Sequence, residues 1–433
     1  MGFPRRSGLY RTTVSNDFVV WVGGAFGWIP PQVYYLIGLA TVFMNRDIVT
    51  FGILGAAHSL NHSLFLVLPP LLGNIAQGLG VSFQTLGLVA TATYFIYGIG
   101  ALAGGPLSDM IGSVKVARIS IGLAGVSSLL FIVCREIYAF SAAMFLMAIW
   151  ASFYHPTANK LIAQAFPSKV GNAMGIHNAA GNAGQVLTPT VAFLLGVVID
   201  WRASFIFFGL LSIGTAYLMD RIVIDEDAPT GERKIALGEF LRIPHFWQIL
   251  LFNALIGFIF RGVEVFFPTF LRLGQGYTGE FAAIGSSMIL LFGVAGQLIG
   301  GRGSDKVGPT KILLGAVVGV FVGLLVLLLV PTSYPVVIAF TFIYGVAVFA
   351  HQPSMTNLVS RVTPRHLMGL SYGVMFFFSF GLGSIAAAVL GWLTDGYGVV
   401  FAFWSNAVVA VALLGVALLI YRTFGNASSE SGS

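Results

Sequence analysis

Runs of about twenty apolar residues return along this chain from residue 49 to residue 421, and no other feature limits its fold so tightly. Wound as a helix, each run is long enough to cross about 30 Å of hydrocarbon. Twelve are read, at about 49–72, 83–107, 116–134, 138–164, 171–198, 203–221, 246–272, 279–300, 311–330, 335–360, 368–393 and 399–421. Strands are excluded, because an open sheet edge cannot survive in lipid and the runs are too long for barrel strands. The expected class is therefore an all-α membrane protein. Composition agrees: 9% of the 433 residues are charged, against roughly a quarter in soluble domains. The sole cysteine, Cys134, excludes an intrachain disulfide and a cysteine-based metal cluster.

Charge sets the orientation. If both ends of the twelve-helix body lie on one face, that face carries fourteen Lys and Arg between Lys115 and Arg422, and the other carries Arg135, Arg202 and Arg272. Cytoplasmic connections concentrate Lys and Arg, so the C-terminus is expected in the cytoplasm, in a prokaryotic inner (plasma) membrane. The same bias accounts for the net charge of +6 without nucleic acid as a partner. The expected organisation is an N-terminal extension (1–44), a first six-helix bundle (45–221), a cytoplasmic linker (222–245), a second bundle (246–422) and a disordered tail (423–433). The extension is apolar but broken by Pro30-Pro31, which suits an interfacial or re-entrant segment, or a true start at Met44.

A polar knot, "GGPLSDMIGSVK" at 104–115, returns as "GGRGSDKVGPTK" at 300–311, an offset of 196. At the same offset "FYHPTANKL" (153–161) is echoed by "FAHQPSMTNL" (349–358), which sets His155 against His351. A parallel repeat of six-helix halves is the trace expected of one large class of secondary transporter.

On these motifs the chain, over about 49–422, resembles the major facilitator superfamily. That family's Gly-Asp-Gly-basic signature joins helices two and three. Here it reads Gly105, Asp109, Gly112 and Lys115, with a second copy at Gly301, Asp305, Lys306, Gly308 and Lys311. Met110 stands where the first copy usually has a basic residue. The resemblance implies two pseudo-symmetric six-helix bundles and a conformational gate, in which the Asp pairs with basic side chains or a neighbouring helix N-terminus. Within the superfamily, His58, Asn61 and His155-Pro156 look like the fosmidomycin-resistance family of drug exporters, although His62 replaces that family's usual Asp. In the fifth span Gly175, Gly184 and Thr188-Pro189 resemble an antiporter motif, and plain helix packing explains them as well.

Ionisable groups at membrane depth are costly and mark functional positions. Glu264 and Arg261 share one face of the seventh span, which suits a proton site tuned by a cation, or an anchor for an anionic substrate; a static brace is the plainer alternative. His58 and His62 share a face of the first span beside Asn61, and His155, His177 and His351 are expected to converge on them from both halves. His155 and His351 are placed nearer the cytoplasmic end, as gate residues. For a metal, the His58-x-x-x-His62 pair lacks an identifiable third ligand, and no metal or cofactor is expected. Tyr94, Tyr97 and "MFFFSF" (375–380) are candidates to line a cavity, with lipid contact the plainer reading for most.

The expected activity is alternating-access transport of a small organic molecule by a monomer. Proton-coupled export of a drug or metabolite leads, and import or exchange of an organic anion is the alternative. A receptor without transport on the same scaffold is the reading from another class. No phosphate loop or nucleophile–base arrangement supports direct use of ATP or an enzyme.

Overall fold

A computed structural model describes residues 46–165, 170–222, 237–364 and 367–425. The N-terminal extension, the linker stretch 223–236 and the tail 426–433 lie outside the described residues, and so do the expectations placed on them. By its contacts the chain divides into Met1–Thr50 and Phe51–Ser433, and the second unit carries the sites below.

Twelve helices among the described residues are long and apolar enough to cross a membrane. They are α1 (Val49–Leu79), α2 (Phe83–Ser108), α3 (Ser113–Val133), α4 (Ile137–Ile162), α5 (His177–Val198), α6 (Trp201–Met219), α7 (Phe246–Gly274), α8 (Gly279–Val307), α9 (Pro309–Leu329), α10 (Tyr334–Val362), α11 (Leu370–Tyr397) and α12 (Val399–Phe424). Each expected run corresponds to one of them. The largest differences are in α8, read as ending near residue 300 but helical to Val307, and in α1, read as ending near residue 72 but helical to Leu79, where Gly80 closes it with φ 65°. Pro69-Pro70 sits in the first turn of a new helical segment, where proline's missing N–H costs nothing, so it bends α1 instead of ending it.

The internal repeat is visible in the backbone. Ser82 caps α2, its hydroxyl accepting from Thr85 N–H at 3.2 Å, and Thr278, 196 residues later (278 − 82), caps α8 by accepting from Phe281 N–H at 3.3 Å. Gly112 and Gly308, again 196 apart (308 − 112), take φ 94° and 97° between α2 and α3 and between α8 and α9. A side chain is strained at such angles, which is why both polar knots place glycine there. Because successive spans alternate in direction, both knots lie at one end of the bundle, the motif end.

Large apolar side chains such as Leu291 and Leu298 on α8, and Val408 and Val411 on α12, are exposed on the outside, as lipid-facing positions should be. Between the halves, α2 packs on α11, α5 on α8 and α1 on α7. Glycine permits the closest of these approaches: a methyl group at Gly87 of α2 would collide with Ala387 O of α11, and one at Gly98 would stand 2.9 Å from Gly381 N. Among the described residues, cross-half hydrogen bonds cluster toward the end opposite the motif. There the Asp395 carboxylate of α11 accepts from Phe83 and Gln84 N–H at 3.2 and 2.7 Å, capping α2 from the other half. Thr91 donates to Ser384 O at 2.7 Å, and Ser384 donates back to Thr91 O at 3.0 Å. Thr190 and Ser287 share a bond of 2.9 Å, and Arg272 donates to Asn74 at 3.0 Å.

Candidate functional site

About halfway along α7, Arg261 and Glu264 form an ion pair, as their i, i+3 spacing predicts. Arg261 is 3% exposed. Its guanidinium lies 4.0 Å from the Tyr94 ring centroid and 4.4 Å from that of Phe380, between α2 of one half and α11 of the other. Stacking and a bidentate-capable fork suit arginine, and not lysine, to this slot. Tyr94 donates its hydroxyl to Glu264 Oε2 at 3.1 Å. Glu264 also walls a cavity of about 30 Å³ with Pro69, Pro189, Ser286 and Tyr344, so α1, α5, α7, α8 and α10 meet around it. That is room for a water or two. A larger cavity of about 210 Å³, lined by Asn74, Gln77, Thr269 and Arg272, lies toward the opposite end and also touches Pro69.

Three residues from Tyr94, Tyr97 donates to Asn61 Oδ1 at 2.6 Å, and Asn61 donates to Ala151 O at 2.8 Å, tying α2, α1 and α4 together. The Tyr97 ring also packs against Phe65, Phe376 and Phe380, with centroids 5.0, 5.8 and 5.9 Å away. Both tyrosines are therefore interior, which corrects the lipid-facing reading for these two residues. In α11 a π-helical turn, Phe377–Leu382, interrupts the regular α-helix beside this contact.

The histidines of the first half meet on the far side of Tyr97. Ring centroids of His58 and His62 are 5.2 Å apart, those of His58 and His155 4.8 Å, and those of His62 and His155 4.7 Å. Candidate ligating nitrogens of the three all fall within 4.8 Å of one another. The expectation that His58 and His62 lack a third partner is overturned: the third is His155, brought in where α4 turns at Phe153 and resumes at Tyr154. The sequence singles out His155 as a residue expected to converge on the pair, but its spacing of 93 residues from His62 (155 − 62) does not by itself make it a ligand. His177 of α5 stacks on His58 at 4.5 Å and 26°, and its carbonyl lies 3.3 Å from His58 Nδ1. The Nε2 of His155 and both ring nitrogens of His177 are buried without a hydrogen-bond partner among the described residues.

His351 does not join this group. Its ring pairs with Val348 O of its own helix and packs 6.1 Å from Phe252. Convergence from both halves is thus corrected to convergence within one half, with His155 a member of that cluster. The repeat equates the two positions, but the second half has Phe252 facing His351 and no equivalent of the α1 histidine pair.

Around the knots, Gly105 O accepts from Ser108 at 2.7 Å, and Lys115, Lys306 and Lys311 are exposed. Asp305 accepts from Asn357 of α10 at 3.0 Å, and Asn357 in turn accepts from Arg361 at 2.8 Å. Among the described residues, an amide thus links Asp305 of the second knot to the basic Arg361. Gly301 faces Pro353 at an ordinary 3.9 Å for an added Cβ. Asp109's side chain and the packing of Gly175 lie outside the described residues. Gly184 lets α5 approach Ser59 of α1, and Thr188, beside Pro189, bonds Ser63 at 2.8 Å. Both belong to the α1–α5 contact.

Among known proteins, the chain is 25% identical over 388 residues to the Membrane sensor protein UhpC of Salmonella typhimurium, covering 82% of this chain and 86% of that protein. It is 23% identical to the "Probable sulfoacetate transporter SauU" of Cupriavidus necator (80% and 86% covered). It is also 23% identical to the Glycerol-3-phosphate transporter of Bacillus subtilis (74% and 80%). Among solved structures, it matches a bacterial homologue of the human lysosomal transporter Spinster in an inward-facing, unoccupied conformation, with TM-score 0.73 and 16% identity, covering 88% of this chain and 98% of the other. A single-residue mutant of the nucleoside transporter NupG matches with TM-score 0.74 and 13% identity, covering 87% and 100%. The sequence profile described as Major Facilitator Superfamily matches residues 51–388. With twelve spans among the described residues, a doubled glycine turn and a buried ionic site between two six-helix halves, this multi-pass membrane protein, which is not an enzyme, belongs to the major facilitator superfamily of transporters.

Proposed function

We propose that this chain moves a small organic anion together with a proton across a prokaryotic plasma membrane, as a monomer with the motif end in the cytoplasm. The observation that carries this reading is Arg261, buried between two aromatic rings with its charge held by Glu264. An uncompensated guanidinium at that depth is costly, so an anion can take Arg261 only as Glu264 gives it up. A proton on Glu264 removes the competing charge, and anion and proton then travel together. Tyr94 is placed to keep its hydrogen bond to the carboxyl group through that exchange. Tyr344 lines the same cavity as Glu264. Relatives named for sulfoacetate and glycerol-3-phosphate transport agree with an anionic substrate.

Alternating access follows from the unequal stitching of the two ends. The Asp395, Thr91–Ser384 and Arg272–Asn74 contacts hold the end opposite the motif shut. Breaking them while closing the motif end would turn the site over to the other side.

The aromatic walls, Tyr94, Tyr97, Phe376 and Phe380, favour a second reading, proton-coupled export of an aromatic or cationic drug, in line with the fosmidomycin-resistance likeness. Transport in proteoliposomes separates the two. With an imposed pH gradient, labelled sulfonates, phosphonates or phosphate esters are expected to accumulate and to compete with one another. Arg261→Lys is expected to lower the rate at least about ten-fold, because a point charge replaces a stacked fork. Competition by cationic dyes but by none of the anions would overturn the anion reading in favour of the drug reading. Saturable binding with no counterflow would instead favour a receptor, the role named for one relative.

A further inference from the structure

The anion reading leaves the histidine group of α1, α4 and α5 without a task. His58 and His62 stand one helical turn apart on α1, and His155 closes the third corner of a nearly equilateral set of rings, 4.7 to 5.2 Å between centroids. Around a tetrahedral ion with metal–nitrogen bonds of about 2.0–2.1 Å, ligand nitrogens stand about 3.3 Å apart. The three candidate nitrogens, within 4.8 Å of one another, stand at most about 1.5 Å beyond that spacing. The tautomer of His58 is also set for a ligand. Its Nδ1–H donates to the His177 carbonyl at 3.3 Å, which leaves the Nε2 lone pair free. Metal-bound histidines are commonly oriented by such a bond from the other ring nitrogen to a carbonyl.

Two further observations point to an absent partner. The buried Nε2 of His155 has no hydrogen bond among the described residues, although buried ring nitrogens are ordinarily paired. His177, 0% exposed, leaves both ring nitrogens unpaired in the same place. Lying at 26° against His58, its ring is parallel to a ligand and does not aim at the same centre, so His177 positions His58 through its carbonyl.

We infer that His58, His62 and His155 bind one divalent transition-metal ion of the zinc type, with a fourth coordination position open to a small anion. Three neutral imidazoles leave the ion's double charge uncompensated. Among the described residues no carboxylate touches the cluster, and Glu264 is already engaged by Arg261 and Tyr94. An exogenous anion in the fourth position supplies the missing charge, as the open site of a three-histidine zinc centre accepts water or substrate. The inference rests on the geometry of the cluster and stands apart from the transport reading.

The test uses full-length, tag-free protein in detergent, stripped with a chelator and titrated with Co²⁺ and Zn²⁺. One ion per chain is expected, with the intense visible bands of four-coordinate Co²⁺, and added azide or methylphosphonate should shift those bands. His58→Gln, His62→Gln and His155→Gln should each weaken binding about 100-fold, whereas His245→Asn, on the exposed segment before α7, should leave it unchanged. Gel filtration and thermal unfolding report whether each variant folds, and the cobalt spectrum of the unaltered protein decides even if one does not. Binding that fails to saturate at one ion, a six-coordinate spectrum, or affinity untouched by the three substitutions would overturn the site. None of these results depends on anion transport, so this site and the Arg261 reading can fail separately.

Discussion

At the scale of single residues, Arg261 and Glu264 are the charges on which the transport reading turns. Their pairing is legible in the sequence, since three positions on a helix put both on one face and lipid depth forbids leaving either alone. Tyr94 and Tyr97 are less legible. In a soluble helix a polar stripe tells inside from outside, but α2 is apolar all round and its sequence does not say which face meets protein. Substitutions at these residues should separate coupling from architecture. Glu264→Gln should abolish accumulation driven by a pH gradient while anion exchange at equal pH persists, measured by counterflow in proteoliposomes; loss of both would assign Glu264 a structural role. Tyr97→Phe strips the hydroxyl from Asn61 Oδ1 inside the protein. An orphaned buried acceptor costs about 1–3 kcal/mol, so thermal unfolding in detergent should begin at a lower temperature.

Whole helices are shaped by a few backbone decisions. Pro69-Pro70 bends α1, Thr188-Pro189 interrupts the fifth helix and Pro268 precedes the π turn Phe270–Gly274 that ends α7. The prolines announce these irregularities. The π turn of α11 has no proline; it lies where Gly381 meets Gly98 and Ser379 meets Gly257 across helix contacts. At the glycine turns, backbone angles near φ 97° are reserved for glycine, so Gly308→Ala should cost about 1–3 kcal/mol and lower the thermal midpoint. Asp395 acts on a helix that is not its own, as an anion at the N-terminus of α2. Such a charge is worth about 0.3–1 kcal/mol. Asp395→Asn should therefore raise thiol labelling of a cysteine placed at Asn74, in a Cys134→Ser background, by about two- to five-fold. Unchanged labelling would show that this cap does not hold the end shut.

For the molecule as a whole, the proposed alternating access requires one end to open as the other closes. Thr91 and Ser384 exchange hydrogen bonds across the halves near the shut end. A Thr91→Cys/Ser384→Cys pair, oxidised in a Cys134→Ser background, should stop transport, and reduction should restore it. Full transport with the disulfide shown intact would refute alternating access through this end.

Twelve spans, their alternating direction and the doubled knot were determined by the sequence alone, because lipid demands long apolar helices and a repeated glycine turn leaves a repeated pattern. The arrangement of Tyr94 against Glu264, of His155 beside His58 and His62, and of His351 apart from them was decided by tertiary structure. The physical reason is common to all three: the hydrophobic pattern that marks an inner face in water vanishes when the outer face is also apolar, so only helix packing chooses which polar groups meet.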